Sequence, residues 1–365
     1  MSKSKKIVAV DLFCGAGGLT YGLERAGINV KLGIDIDPAC AHPIEANSKA
    51  KFLQADIAKL KPTEIEKVFR GNNFKLLAGC APCQPFSTYS RAAKQKHGEE
   101  AGNNRNEDWR LVEHFANLIR KTQPDLVTME NVAPLASQPI FQEFLGSLEG
   151  YWVDWRVIEC STLGLPQTRK RLVLLASKLG PISIPEFSLP IKTVQSVIGK
   201  LPAISAGGED PTDRLHRSSK LSALNLERIK NSVPGGTWRD WPDGLRSSCH
   251  IKDTGATYPS VYGRMKWDAP APTVTTQCFG YGNGRFGHPE QDRAISLREA
   301  AMLQGFPQNY SFIPDDEPVS FAKVGRLIGN AVPVTLGKVV GELLRQHVSQ
   351  YGKAIDIKRG QGPFD

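Results

Sequence analysis

Two cysteines three residues apart lie in the segment GCAPCQPFSTYS, residues 79–90, and prolines flank the second of them. Pro82 precedes Cys83, and Gln84-Pro85 follows it. Proline fixes its own φ, lacks an N–H and pushes the preceding residue out of the helical region, so no helix can run through this stretch. The pattern indicates a thiol displayed on a rigid loop and favours a nucleophilic role for Cys83.

Other interpretations of this C-x-x-C pair fit less well. A thioredoxin-like redox pair needs its first cysteine at the start of a helix, which Pro85 forbids. A zinc site would need a second pair of ligands, which the sequence lacks, so no metal is predicted. Burial as small apolar side chains would suit Cys80, at the end of a predicted strand, better than Cys83.

A glycine-rich turn, DLFCGAGGLT at residues 11–20, joins an apolar run to a helical pattern. Glycines there let a ligand approach the backbone at the carboxyl end of a strand. Asp35 ends the next strand, twenty residues after Gly15, at the usual offset for a carboxylate that binds a ribose diol. Asp56 ends the third strand and could accept from an adenine amino group. These strand ends predict a nucleoside-containing cofactor. The alternative is a tight turn with two ordinary helix caps. The turn does not match the dinucleotide pattern G-x-G-x-x-G, because Thr20 stands in place of the third glycine.

Two further polar motifs lie at predicted strand ends. Glu130 in MENV follows apolar residues and is either a neighbour of a helix cap or a site residue at the carboxyl edge of the sheet. In QTRKR, residues 167–171, Arg169 and Arg171 alternate in strand register, which predicts that both point to one face. A solvated charge run is the alternative.

Strand and helix patterns alternate through the first half of the chain, which predicts an α/β fold with a mostly parallel sheet covered on both faces. The predicted strands span 6–13, 30–36, 51–56, 74–79 and 125–131, with a helix over 107–124. After about residue 180 the sequence is rich in Gly, Pro, Ser and Trp and has little periodicity, which indicates a smaller irregular domain. Helices return near 296–307 and 332–348.

Composition is that of an ordinary globular protein, with 40% hydrophobic and 23% charged residues over 365 positions. No stretch reads as a membrane span or an export signal, which predicts a cytoplasmic location without membrane contact. The seven cysteines are scattered and odd in number, which argues against a disulfide framework. The net charge of +9 permits an anionic partner such as nucleic acid.

In this order the motifs resemble those of the DNA cytosine-5 methyltransferase family of the bacterial type. The matching segments, from Lys6 to about Gly341, are DLFCGAGGL, GIDID, QADI, GCAPCQPFS, ENV, QTRKR, REAAMLQGFP and GNAVP. Each is weak to moderate alone, whereas their joint order is highly specific. Two positions depart from the family pattern. Cys80 stands where relatives usually carry glycine or a bulky apolar residue, and no function is expected from it. Thr168 stands where an arginine is common.

The resemblance implies a Rossmann-like S-adenosylmethionine-dependent methyltransferase sheet with a smaller irregular target-recognition domain. The catalytic and cofactor-binding domain is expected over 1–185, completed by 318–350. The target-recognition domain is expected over 186–317, with a flexible tail over 351–365.

The resemblance also implies a reaction on a flipped cytosine in a specific short duplex DNA sequence. Cys83 would attack C6 of the base, and Glu130 would hydrogen-bond the ring N3 and the exocyclic amine. Arg171 would contact O2, with Arg169 positioning the nucleophile loop. Methyl transfer to C5, loss of the C5 proton and expulsion of Cys83 would restore the ring.

Further site residues follow from the same resemblance. Residues expected to bind S-adenosylmethionine are Phe13, Cys14, Gly15, Ala16, Gly17, Gly18, Leu19, Asp35, Ile36, Asp56, Ile57, Pro82, Asn330 and Val332. Residues expected to contact DNA are Gln84, Ser87, Arg110, Arg239, Arg246, Thr275 and Thr276.

The expected partner is double-stranded DNA. A cognate restriction endonuclease that acts on the same site is a second candidate partner. The protein itself is expected to be a monomer in the bacterial cytoplasm or nucleoid. Three alternatives stay open. An RNA (tRNA) cytosine-5 methyltransferase would carry a Cys-Phe-Thr element, which QCFGYGN matches only in part. A NAD-linked thiol oxidoreductase would need a third glycine in the turn and a helix at Cys83. A catalytically silent DNA-binding relative would not need Cys83, Glu130 and Arg171, which are all present.

Overall fold

The computed structural model of the chain describes residues 6–71, 74–82, 103–252 and 260–360, and for 103–109 and 353–360 it describes the backbone alone. The chain divides into two compact units. The first comprises Met1–Glu159, Lys170–Phe187 and Val334–Asp365, and the second comprises Cys160–Arg169 and Ser188–Pro333.

The described part of the first unit is built on a seven-stranded sheet with the order β3-β2-β1-β4-β5-β7-β6. The strands are β1 Ile7–Leu12, β2 Asn29–Asp35, β3 Lys51–Gln54, β4 Phe74–Gly79, β5 Leu126–Val132, β6 Trp152–Glu159 and β7 Lys170–Ser177. Strands β1 to β5 pair in parallel, and β7 runs antiparallel to both β5 and β6. The prediction of an α/β fold with a mostly parallel sheet is confirmed.

Helices surround this sheet and punctuate the second unit. In chain order, those that the structure describes are α1 Gly18–Arg25, α2 Ala41–Asn47, α3 Pro62–Phe69, α4 Asn103–Thr122, α5 Pro139–Gly146, α6 Val194–Ile198, α7 Ala223–Lys230, α8 Ser248–Ile251, α9 Leu297–Leu303, α10 Phe321–Asn330 and α11 Val334–Gly360. Helices α6 to α10 lie in the second unit, and the others lie in the first.

The central strands of the sheet are buried on both faces, which explains their nearly continuous apolar sequences. Every residue of β1 is buried, and β4 and β5 each have one less buried position. Helices α4 and α5 contribute to the same core, where the rings of Phe115 and Phe144 lie 5.5 Å apart. The carboxyl ends of β1, β2, β4 and β5 are therefore held by a rigid core.

Helix α1, which follows the glycine-rich turn, packs closely against α11. A Cβ on Gly22 would lie 2.6 Å from Val334 O, and a Cβ on Gly337 would lie 3.1 Å from Leu19 O. Only glycine permits this approach of the two backbones. The contact fixes the position of α1 and hence of the turn that precedes it.

The described part of the second unit has short helices and no sheet, and buried polar contacts hold it together. Glu299, on α9, accepts hydrogen bonds from Nη1 and Nη2 of Arg293 at 2.7 and 2.8 Å. It also accepts from Ser296 N, which forms a capping box. Arg228 lies over the rings of Trp241 and Tyr262 at 5.3 and 5.4 Å. Ion pairs and cation–π contacts thus order a segment whose sequence shows little periodicity.

Among the described residues, one helical stretch, Phe321–Gly352, is long and apolar enough in composition to cross a membrane, which was not predicted from the sequence. The stretch is interrupted between α10 and α11 at Ala331 to Pro333. Inside the protein, 67% of its most apolar window is buried. Both features are typical of core helices.

Candidate active site

The glycine-rich turn after β1 has a strained and open backbone. Phe13 has φ 56, an uncommon value for a bulky residue, and such strain concentrates at functional sites. Gly15 has φ +52, and a Cβ there would meet no atom within 4 Å. Gly17, with φ 81, precedes α1 as its N-cap. Backbone conformation therefore requires glycine at position 15, and the space in front of it is free for a ligand.

Asp35, at the end of β2, binds the glycine-rich turn. Its Oδ2 accepts from Gly15 N at 2.9 Å, and its Oδ1 accepts from Asp37 N at 3.0 Å. Burial raises the pKa of Asp35, and the two amide hydrogen bonds oppose that shift. The adjacent Ile36 is 64% exposed, an unusual environment for a large apolar side chain. The pair thus offers a fixed carboxylate beside an apolar surface.

The remaining residues expected at the cofactor site are in mixed environments. Asp56 Oδ1 accepts from Ala58 N at 2.9 Å, so for this carboxylate the interpretation as a helix cap holds. The side chain of Ile57 is buried in the core, as are those of Cys14, Ala16 and Leu19. For these residues, ligand contact through the backbone alone is compatible with the structure.

Asp11 is a buried acid beneath the same turn, and the sequence analysis did not single it out. Thr20 Oγ1 donates to its Oδ2 at 2.6 Å, which gives Thr20 a role at the position of the missing third glycine. Asp11 Oδ1 has no hydrogen-bond partner among the described residues. Burial raises the pKa of Asp11 to about 7. The sequence signal for Asp11 is an acidic residue inside an otherwise apolar strand.

Glu130, at the end of β5, is only 5% exposed and has two charged or polar neighbours. Arg171 Nε lies 2.8 Å from its Oε1 as an ion pair. The Cys80 thiol donates to its Oε2 at 2.7 Å. Within the described part of the chain, Oε1 receives no aligned hydrogen bond. The carboxylate is thus charge-balanced and fixed, yet it keeps acceptor capacity for a ligand.

The segment that leads to Cys83 is tied to the same strand end. Asn131 Nδ2 donates to Ala81 O at 2.9 Å, and Cys80 N donates to Leu12 O at 3.3 Å. Pro82 is half-buried. The predicted nucleophile Cys83 and the predicted DNA contacts Gln84 and Ser87 lie outside the described residues. Asn131 was not identified from the sequence.

Arg169 belongs to the second unit and Arg171 to the first, so the shared face of these two side chains stays a prediction. Strand β7 begins at Lys170, one residue after Arg169. Arg169 is 4% exposed and donates to Val274 O at 3.0 Å and to Gly329 O at 3.3 Å. It therefore joins the segment before Thr275 to the end of α10.

Gln167, missed by the sequence analysis, strengthens the same junction. Its Nε2 donates to Gln304 Oε1 at 2.8 Å, and its Oε1 accepts from Val274 N at 3.0 Å. Gln304 in turn donates to Ala331 O at 2.7 Å, between Asn330 and Val332. Asn330 is exposed and Val332 is buried.

The arginines expected to contact DNA differ in the exposure of their side chains. Arg110 is exposed on α4, and Arg239 is exposed with its guanidinium 5.5 Å from the Trp238 ring. Arg246 is held by Asp243 at 2.9 Å and by the carbonyl of Arg239 at 2.7 Å. Of the two arginines in the second unit, Arg239 has the more exposed side chain.

The sequence profile of C-5 cytosine-specific DNA methylases matches residues 7–346. The chain belongs to this family. It is a DNA (cytosine-5)-methyltransferase, and enzymes of this family use S-adenosylmethionine. The predicted resemblance is confirmed, and the NAD-linked oxidoreductase is excluded.

Relatives of known type agree with this assignment. The chain is 48% identical over 345 residues to the Type II methylase M.HgiDII of Herpetosiphon aurantiacus, covering 92% of this chain and 94% of that one. It is 30% identical to the Type II methyltransferase M1.HphI of Haemophilus parahaemolyticus, covering 91% and 85%. These matches favour DNA over the RNA alternative that the sequence left open.

Solved structures show the same fold. A chain described as a DNA modification methyltransferase encoded within an E. coli prophage aligns with TM-score 0.70 at 22% identity, covering 94% of this chain and all of that one. The S. pombe Dnmt2 methyltransferase aligns with TM-score 0.57 at 18% identity, covering 94% and 99%. The predicted methyltransferase sheet is thereby confirmed.

The described residues fit S-adenosylmethionine. The ligand carries two positive groups, a sulfonium and an ammonium. Asp35 is a carboxyl group in contact with Gly15, and Asp11 is a buried carboxyl group hydrogen-bonded to Thr20 in the same turn. Among the described residues, Asp11 Oδ1 has no hydrogen-bond partner, and the exposed Ile36 is an apolar surface that an adenine ring could cover.

Proposed function

We propose that this chain is the modification enzyme of a type II restriction–modification system and methylates cytosine C5 within one short duplex DNA sequence. The similarity to a Type II methylase over more than nine-tenths of both chains carries the proposal. A cognate endonuclease for the same site, a monomeric enzyme and a cytoplasmic location belong to this proposal.

For the chemistry, the supporting observation is Glu130, buried between Arg171 and the Cys80 thiol. Cys83 attacks C6 of the flipped base and forms a carbon–sulfur bond, which makes C5 nucleophilic. Glu130 accepts from the exocyclic amine through one oxygen and, in its protonated form, donates through the other to N3, which stabilises the charge that develops on the ring. Arg171 balances the carboxylate and directs its remaining N–H groups toward O2.

Bound S-adenosylmethionine supplies an electrophilic methyl group. We propose that the turn from Phe13 to Leu19 holds the ligand, with Asp35 on the ribose and Ile36 on the adenine. Asp56, Ile57, Pro82, Asn330 and Val332 complete this proposed set. After transfer to C5, loss of the C5 proton and expulsion of Cys83 restore the aromatic ring.

We further propose that the second unit reads the target sequence, whereas the first unit performs the reaction. Exposed Arg239 is suited to base edges, because arginine pairs bidentately with guanine in the major groove. Arg246, Thr275 and Thr276 belong to the same proposed surface. Arg110, Gln84 and Ser87 are proposed as DNA contacts of the first unit.

The test is to express the chain in a host without DNA methylation and to map 5-methylcytosine across its genome. We expect methylation at one short recurring sequence, abolished by Cys83→Ala, while Cys249→Ala, which removes an exposed thiol, leaves the pattern intact. A duplex with 5-fluorocytosine at the mapped site should trap the wild-type enzyme covalently. Methylation scattered without a motif, methylation of tRNA alone, or full activity of Cys83→Ala would contradict the proposal.

A further inference from the structure

Cys80 contacts a residue proposed for catalysis, although no function was expected for Cys80 from the sequence. Its Sγ lies 2.7 Å from Glu130 Oε2. The proposed reaction assigns no step to this contact.

The proton that makes this contact stays on the sulfur. Burial, followed by the negative charge of Glu130, raises the pKa of the Cys80 thiol well above its ordinary value. Arg171 opposes this shift only in part. A neutral thiol is a weak donor, but its acceptor is a carboxylate that is almost fully buried, where a lost hydrogen bond is not replaced by water.

The two oxygens of Glu130 have different partners. Arg171 Nε lies 2.8 Å from Oε1, whereas Cys80 contacts Oε2. The ion pair with Arg171 acts on Oε1 alone. The thiol holds Oε2, and this second contact restrains rotation of the carboxyl group about its terminal torsion. This torsion is intrinsically broad, so a second contact is needed to fix the plane of the group.

The same thiol couples Glu130 to the segment that carries Cys83. Strands β4 and β5 pair with Gly79 opposite Met129, so Cys80 and Ala81 continue opposite Glu130 and Asn131. Asn131 holds Ala81 O at 2.9 Å. Two neighbouring contacts thus join the two strand ends, one through a backbone carbonyl and one through the carboxylate itself.

We propose that Cys80 is a positioning residue, whose thiol holds the Glu130 carboxylate in the orientation that leaves Oε1 available to the target base. This inference rests on the proposed function of Glu130. The contrasting role for Cys80 is that of an apolar filler at a strand end, for which the hydrogen bond would be irrelevant.

Three substitutions separate these roles. Cys80→Ser keeps a donor of similar size, Cys80→Ala removes the donor, and Cys80→Val removes it while filling the space. In single-turnover methylation of the mapped duplex, we expect Cys80→Ala and Cys80→Val to lower the rate constant about tenfold with little change in the Kd for DNA. Cys80→Ser should recover the rate to within about threefold of the wild type. Urea unfolding of each variant reports whether it is folded, and Cys249→Ala is the control for loss of a thiol.

A double-mutant cycle with Glu130→Gln tests whether Cys80 acts through Glu130. If it does, Cys80→Ala should cost about tenfold in the wild-type background and less than about twofold in the Glu130→Gln background. An equal loss in both backgrounds, a wild-type rate for Cys80→Ala, or a valine variant faster than the serine variant would overturn the proposal. Wild-type methylation accompanies every assay, so a failure of this inference is distinct from a failure of the proposed function, which would appear as absent methylation by the wild type.

Discussion

Asp11 should make the stability of the protein fall as pH rises, and Asp11→Asn should remove this dependence. The folded state favours the protonated carboxyl, because burial raises its pKa from 3.8 to about 7. Between these values the unfolded chain releases a proton that the folded chain keeps. The stabilising effect of that proton is complete below about pH 4 and is lost as pH rises through about 7.

The size of the effect follows from the shift. A change of about 3 pKa units at 1.36 kcal/mol each corresponds to roughly 4 kcal/mol between the two protonation limits. Roughly 1.5 to 2 kcal/mol of this is already lost at pH 5, where the unfolded carboxyl is ionised. We therefore expect about 2 to 3 kcal/mol of additional loss between pH 5 and pH 8. The asparagine amide adds a cost of about 1–3 kcal/mol if a buried N–H is unsatisfied, but that cost does not vary with pH.

The assay is urea unfolding of the ligand-free protein at pH 5 and pH 8, followed by tryptophan fluorescence. The free energy of unfolding of Asp11→Asn minus that of the wild type should increase by about 2 to 3 kcal/mol between the two conditions. Glu143→Gln, at an exposed position of α5, is the control for removal of a carboxyl group. Parallel behaviour of Asp11→Asn and the wild type, within the error shown by Glu143→Gln, would refute a neutral buried Asp11.

Two further predictions concern the ligands. Asp35→Ala should weaken S-adenosylmethionine binding by roughly 1–3 kcal/mol, the scale for hydrogen bonds to a charged acceptor, and an unchanged affinity in calorimetry would contradict its role at the ribose. If residues 205–290 are exchanged for the matching segment of a relative with a different target, methylation should move to the relative's sequence and Cys83 should stay essential. An active chimera that keeps the original site would disprove the assignment of sequence choice to this segment.

Strand ends were predictable from the sequence because each apolar run stops at a polar residue. The predicted strand over 30–36 is observed as β2 Asn29–Asp35, and that over 125–131 as β5 Leu126–Val132. Parallel strands of one sheet end at a common edge, so the runs alone placed Asp35 and Glu130 at the same edge of the sheet. Strand β6 was missed, since Trp152, Trp155 and Val157 are exposed on a sheet edge and its sequence lacks a simple alternation.

The contacts across the site could not be predicted because they depend on register. Cys80 meets Glu130 and Ala81 meets Asn131, pairs that are each fifty positions apart. A shift of one residue between β4 and β5 would exchange the side chains that face each other, and local sequence does not set that pairing. The start of β7 was also not predictable to the residue, since strand register was assumed from Arg169, one residue before Lys170.

Three acids at the carboxyl edge of the sheet are stabilised in three different ways, and the difference agrees with the ligands proposed for this edge. Glu130 has a cation, Arg171, at 2.8 Å, so it can face a neutral base without an uncompensated charge. Asp35 is held by two backbone amides. Asp11 has Thr20 but no cation among the groups that shift its pKa in the described chain, and it is neutralised by a proton instead. A buried acid that lacks a cation is disfavoured in its charged form, and a positively charged ligand would reverse that preference. The edge near β1 and β2 is therefore electrostatically suited to a cationic cofactor, whereas the edge near β5 is suited to an uncharged base.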